Sequence, residues 1–95
     1  MNDGPNRPMQ NTTTTVRFTI IGDVKARAFP PWIERHARKL GVRDLTINCN
    51  DRGLDVTGTG APEMLESLAI ACSLGPADVL VDAIDGLPTT WQIEA

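Results

Sequence analysis

The side chains with chemistry to offer sit mostly in the first half of this chain. Of nine Lys and Arg residues, eight (Arg17, Lys25, Arg27, Arg35, Arg38, Lys39, Arg43 and Arg52) fall between positions 17 and 52. No base follows Gly53, whereas Asp55, Glu63, Glu66, Asp78, Asp82, Asp85 and Glu94 do. The formal net charge of −3 therefore conceals a basic half and an acidic half. Lys25 and Arg27 share the short aperiodic stretch of residues 23–29, and a loop so charged attracts a small anion such as phosphate. The other candidates are weaker. Asn48 stands next to a turn-forming stretch, where asparagine is often a turn residue. His36 has no acidic partner identifiable from sequence and falls on an apolar stripe, the setting of a core or boundary histidine. Cys49 and Cys72 lack companions at metal-ligand spacing and alternate with apolar residues, so both are expected to pack; no metal and no cofactor is expected.

The elements that must position these groups can be read from periodicity. Residues 1–14 are polar, rich in Asn, Pro and Thr, and aperiodic, the composition of a disordered tail, which leaves residues 15–95 for one small domain. Val16, Phe18 and Ile20 alternate with Arg17 and Thr19, as in a half-buried strand over residues 15–21. Pro30-Pro31 suits a helix start, and Gly41 its end. The helix to about Leu40 would bury Ile33, His36, Ala37 and Leu40, with Trp32 flanking. A strand at 43–49 with Leu45, Ile47 and Cys49 on one side leads through Asn50-Asp51-Arg52-Gly53 into a second strand at 54–58. Pro62 opens a second helix burying Leu65, Leu68, Ala69 and Cys72, and Gly75-Pro76 closes it. A strand at about 79–84 and a short fifth one at Trp91-Gln92-Ile93 complete the order. The order β-α-β-β-α-β predicts an α+β, ferredoxin-like double split βαβ sandwich, with two helices on one face of a mostly antiparallel sheet.

The stretch Gly22-Asp23-Val24-Lys25-Ala26-Arg27-Ala28-Phe29-Pro30-Pro31-Trp32 resembles the acylphosphatase signature, in which Gly22, Val24, Phe29 and Trp32 match; Ala37, Leu40 and Gly41 follow in register. Asn48, Asp51, Asp55, Val56 and Gly60 fit a looser second signature. The resemblance implies hydrolysis of the carboxyl-phosphate bond of acyl phosphates without metal or covalent intermediate. It implies that Asp23, Val24, Lys25, Ala26, Arg27, Ala28 and Phe29 form the phosphate-binding loop, and that Asn48 positions the attacking water. The register places Pro30 where the family pattern has its catalytic arginine, Ala26 where it has glycine and Lys25 where it has glutamine. Proline offers neither a guanidinium fork nor an N–H, so an impaired or inactive hydrolase is the leading expectation.

Two alternatives remain at this point: an active enzyme with Arg27 as the shifted clamp and Asn48 orienting water, or a non-catalytic module that binds an anion, a protein or RNA. Nucleic acid is not expected, because the strands lack a stacking aromatic pair. With no apolar run near 18 residues and no basic-then-apolar leader, a soluble, cytoplasmic monomer is expected, with no membrane partner and a small anion such as phosphate or an acyl phosphate as its ligand.

Overall fold

A computed structural model of the protein describes residues 13–24, 26–77 and 79–88. Its elements follow in the order β1 (Thr14–Asp23), α1 (Phe29–Lys39), β2 (Arg43–Cys49), β3 (Gly53–Gly60), α2 (Pro62–Leu74) and β4 (Leu80–Asp85). The four strands form one sheet in the order β2-β3-β1-β4, antiparallel at every pairing. This is the α+β, ferredoxin-like arrangement expected from the element order. β1 starts at Thr14, one residue inside the expected tail. The fifth strand expected at residues 91–93 and the tail residues 1–12 lie outside the described residues.

Alternation in the strands decides what the sheet buries. Val16, Phe18 and Ile20 of β1 and Leu54 and Val56 of β3 point to one side and are buried together with Phe29, Ile33 and Ala37 of α1 and Leu65, Leu68, Ala69 and Cys72 of α2. Both helices therefore cover the same face, and the opposite face carries Thr15, Arg17 and Thr19 against Thr59, Thr57 and Asp55. Gly58 lies where a Cβ would come 2.7 Å from Val42 Cγ1, so its lack of a side chain lets the segment after α1 approach β3.

Three expectations need correcting. The buried stripe of α1 is Phe29, Ile33 and Ala37, with His36 and Leu40 only half-buried. The stripe begins before the prolines because Phe29 already occupies the first helical position, and Leu40 lies past the last turn. Cys49 is exposed, not packed. It shares the helix-side orientation of Leu45 and Ile47, but it closes an edge strand where the helix layer no longer covers the sheet.

Candidate functional site at the β1–α1 loop

The loop that follows β1 is held at both ends by apolar anchors. Val24 and Phe29 are fully buried, while Arg27 and Ala28 between them are exposed. Burying Val24 and Phe29 contributes roughly 1.5–3 kcal/mol each, so the intervening residues span two fixed points. Ala26 packs against the core edge, and its carbonyl accepts the Phe29 N–H at 3.0 Å, closing a turn. Among the described residues Asp44 (φ 54) is the one non-glycine at positive φ, so Ala26 avoids that conformation. The loop has thus taken a shape an L-residue adopts without strain, where the family pattern has a glycine. Lys25 lies outside the described residues.

The start of α1 decides what an anion would meet. A helix normally leaves its first N–H groups without partners, and these are what make a helix start attractive to phosphate. Here none of the first four is open. The Phe29 N–H goes to Ala26 O, Pro30 and Pro31 have no N–H, and the Trp32 N–H donates to Ala28 O at 3.1 Å. Ala28 supplies no side-chain cap, and the first turn holds no acidic residue. The helix dipole still points at the loop, but without donors to deliver it. Pro30 faces β2 across a groove it shares with Leu45 and Ile47.

The β2–β3 hairpin adjoins the loop. Asn50 builds the turn: its Oδ1 accepts the Arg52 and Gly53 N–H groups at 2.8 and 2.9 Å, and its own N–H donates to Gly53 O. The Gly22 N–H points at Arg52 O at 3.4 Å, and a Cβ on Gly53 would overlap the Ile20 carbonyl oxygen and come within 3.2 Å of Val24 Cγ2. The hairpin turn therefore lies against the base of the loop. Asn48, two residues before the turn, is exposed and pairs across the strands with Asp55 on the helix-free face.

Asp55 is the hub of a polar network that the sequence did not reveal. Its Oδ1 accepts the Thr19 hydroxyl at 2.6 Å and its Oδ2 meets Arg17 Nη2 at 3.4 Å. These contacts, the Thr19 hydroxyl first and then Asn50 and Arg17, hold its carboxyl below the usual carboxylate value. Arg52 reaches across the turn to Asp85 at 2.9 Å, which lowers the Asp85 carboxyl in the same way. His36 is engaged elsewhere: its Nδ1–H donates to Trp32 O at 2.9 Å and its ring lies 4.0 Å from that of Trp32. Arg27, by contrast, makes no ion pair among the described residues.

Among the described residues no cluster of three or more His, Cys, Asp or Glu side chains could hold a metal, and no helix is long and apolar enough to cross a membrane. The structure thus brings the hairpin turn against the loop and sets Arg27 on the loop's exposed stretch, while Asn48 and Asp55 share the opposite face. What the sequence reading missed is the committed backbone of the first turn of α1. The Pro-Pro pair signals half of it; the two N–H···O=C bonds carry no sequence mark.

No family model matches the chain. Three solved structures share the fold. An acylphosphatase from Coxiella burnetii superposes with a TM-score of 0.73 at 15% identity, covering 90% of each chain. An acylphosphatase from Bacillus subtilis gives 0.69 at 20% identity, over 78% of this chain and 81% of the other. Full-length HypF, in a phosphate- and nucleotide-bound form, gives 0.71 at 20% identity; the match covers 78% of this chain but only 10% of HypF. In sequence, the chain is 32% identical over 82 residues to an acylphosphatase from Synechococcus sp. (strain RCC307), covering 86% of this chain and 70% of that one. At that identity and coverage, the chain belongs to the acylphosphatase family.

Proposed function

We propose that this acylphosphatase-family domain has lost most or all of the hydrolytic power of its family. The observation that carries the reading is the first turn of α1, which has Pro30 at the family's arginine position and no uncommitted N–H among its first four residues. Transfer of a phosphoryl group to water needs positioning and charge stabilisation more than covalent chemistry. Loss of a single transition-state donor costs on the order of 10² to 10³ in rate, and loss of a phosphoryl-clamping arginine roughly 10³ to 10⁵. Anion contact then falls to the loop N–H groups of residues 24–28 and to Arg27, whose flexible side chain gives weak attraction without the fixed fork of a clamp.

The test is hydrolysis of benzoyl phosphate at neutral pH by the unmodified protein, Pro30→Arg and Pro30→Ala, each against the spontaneous rate. The unmodified protein is expected to stay near the spontaneous rate and Pro30→Arg to exceed it by roughly 10²-fold or more. Pro30→Ala returns the N–H without the guanidinium, so the gap between the two variants isolates the cation. Turnover by the unmodified protein that disappears in Arg27→Ala would reject the proposal. It would establish instead a working hydrolase with Arg27 as clamp and Asn48 orienting water, a reading that the exposure of Arg27 and its lack of an ion pair among the described residues keep in play.

A further inference from the structure

β2 is a terminal strand of the sheet among the described residues, and a groove of about 360 Å³ runs between it and α1. The groove is floored by Val42, Leu45, Ile47 and Ala37, closed at one end by Pro30, and rimmed by Glu34 and Arg38. Arg35, Arg38 and Lys39 lie at i, i+3 and i+4 on the exposed side of α1, and Arg43 begins β2 beside them. None of these four cations makes an ion pair among the described residues, where the two pairs present are Arg17–Asp55 and Arg52–Asp85. The acidic groups on this edge are Glu34, one turn before Arg38, and Asp44, at a bulge where the β2–β3 register shifts.

We infer that this edge docks an extended segment of a partner protein, added as a strand to β2, with two apolar side chains over Leu45 and Ile47 and an acidic one beyond them towards Arg38, Lys39 and Arg43. Three properties select that occupant. A strand edge offers backbone groups to an extended chain and to little else. Leu45 and Ile47 both point to the helix side, so an added strand presents side chains to them at the same two-residue spacing, about 6.8 Å. The four unpaired cations supply the charge complement, stronger at the end of the groove near the C-terminus of α1 than near Glu34. Asp44 confines regular pairing to the stretch after its bulge, so the docked segment is short.

The experiment uses the full chain and a synthetic peptide of about eight residues, extended by β-branched content, with valine and isoleucine at alternate positions and glutamate at the next one. Its control carries lysine for glutamate. The expected result is slowed amide exchange within residues 45–49 on adding the acidic peptide, and weaker or no binding of the control. Arg38→Glu should weaken binding roughly three- to tenfold, and Glu34→Gln should strengthen it. Leu45→Lys should abolish it while the far-ultraviolet spectrum remains that of the folded protein. Equal binding of the two peptides would overturn the proposal, as would protection confined to the β4 edge. So would β2 amides already protected in the free protein and exposed by Trp91→Ala, since the chain's own C-terminal segment would then hold the edge. A labelled RNA that competes for residues 45–49 more tightly than the acidic peptide would assign the cations to nucleic acid instead.

Discussion

Gly53 joins the β2–β3 hairpin to the base of the candidate loop, and replacing it with alanine tests that joint. Its φ of +154 lies in a region that L-residues rarely adopt, and a Cβ there would overlap the Ile20 carbonyl oxygen of the paired strand and crowd Val24 Cγ2 at 3.2 Å. The conformational part costs roughly 1–2 kcal/mol. The steric part cannot be relieved by a rotamer, because the obstacle is backbone; displacing a packed strand costs about 1–3 kcal/mol. A total near 3 kcal/mol lowers the midpoint of thermal unfolding of a domain this size by roughly 12–24 °C. Gly41 is the control, for its φ is +73 but a Cβ would meet nothing within 4 Å. Gly41→Ala carries the conformational cost alone, about 1 kcal/mol or 4–8 °C. Thermal unfolding followed by circular dichroism, with amide spectra of residues 22–28, reads both effects. Equal losses in the two variants, or Gly53→Ala leaving the loop amides unmoved, would refute the claim that this contact sets the base of the loop.

The two thiols should differ sharply in reactivity. Burial pushes the Cys72 thiol up to about 12, whereas Cys49 is exposed, so a thiol reagent at pH 8 should modify one cysteine rapidly in the folded protein and the second only after denaturation. Two rapid equivalents in the folded state would contradict the packing of α2. Asp55 should leave a signature in acid. Its folded value lies below the ordinary 3.8, so its stabilisation is complete above 3.8 and is lost as pH falls through the lower folded value. Asp55→Asn should therefore be less stable than the unmodified protein above pH of about 5, with the difference closing in stronger acid. A gap in denaturant midpoint that is constant with pH would remove the Thr19 and Arg17 contacts as its cause.

How much of this could be read from the sequence depended on how local each determinant was. The stripe Leu65, Leu68, Ala69 and Cys72 was legible because every contact follows from one helical period between clear stop and start residues. In α1 the prolines marked the start well but hid that Phe29 already belongs to the helix, so the stripe was read too far towards its C-terminus. Cys49 obeyed its strand alternation and was still misjudged, since exposure at a strand end depends on how far a distant helix extends over it. Register was the larger barrier. That Asp55 would face Thr19, and Arg17 reach the same carboxylate, follows only once β1 and β3 are aligned. Family likeness was carried by glycines, aromatics and one asparagine of the two signatures, and the 32% identity over 82 residues bears it out at the level of the family.

The first turn of α1 explains its own stability in a way that bears on anion binding. An uncapped helix start ordinarily leaves donors unsatisfied, and a bound phosphate is one means of satisfying them. This start has no cap from Ala28 and needs none, since two of its donors are absent and two are used by Ala26 and Ala28 carbonyls. The helix thus gains little from an anion. Linkage turns this into a measurable consequence: a ligand that binds the folded state raises stability by RT ln(1 + [L]/Kd), about 2.7 kcal/mol at a hundredfold excess over Kd. Inorganic phosphate at ~10 mM should leave the unfolding midpoint of the unmodified protein within about 1 °C of its value in a chloride buffer of equal ionic strength. In Pro30→Arg, which regains one N–H and a guanidinium, the same phosphate should raise the midpoint by several degrees. A comparable rise in the unmodified protein would mean that the loop N–H groups alone hold the anion, and the committed donors of α1 would then be irrelevant to binding.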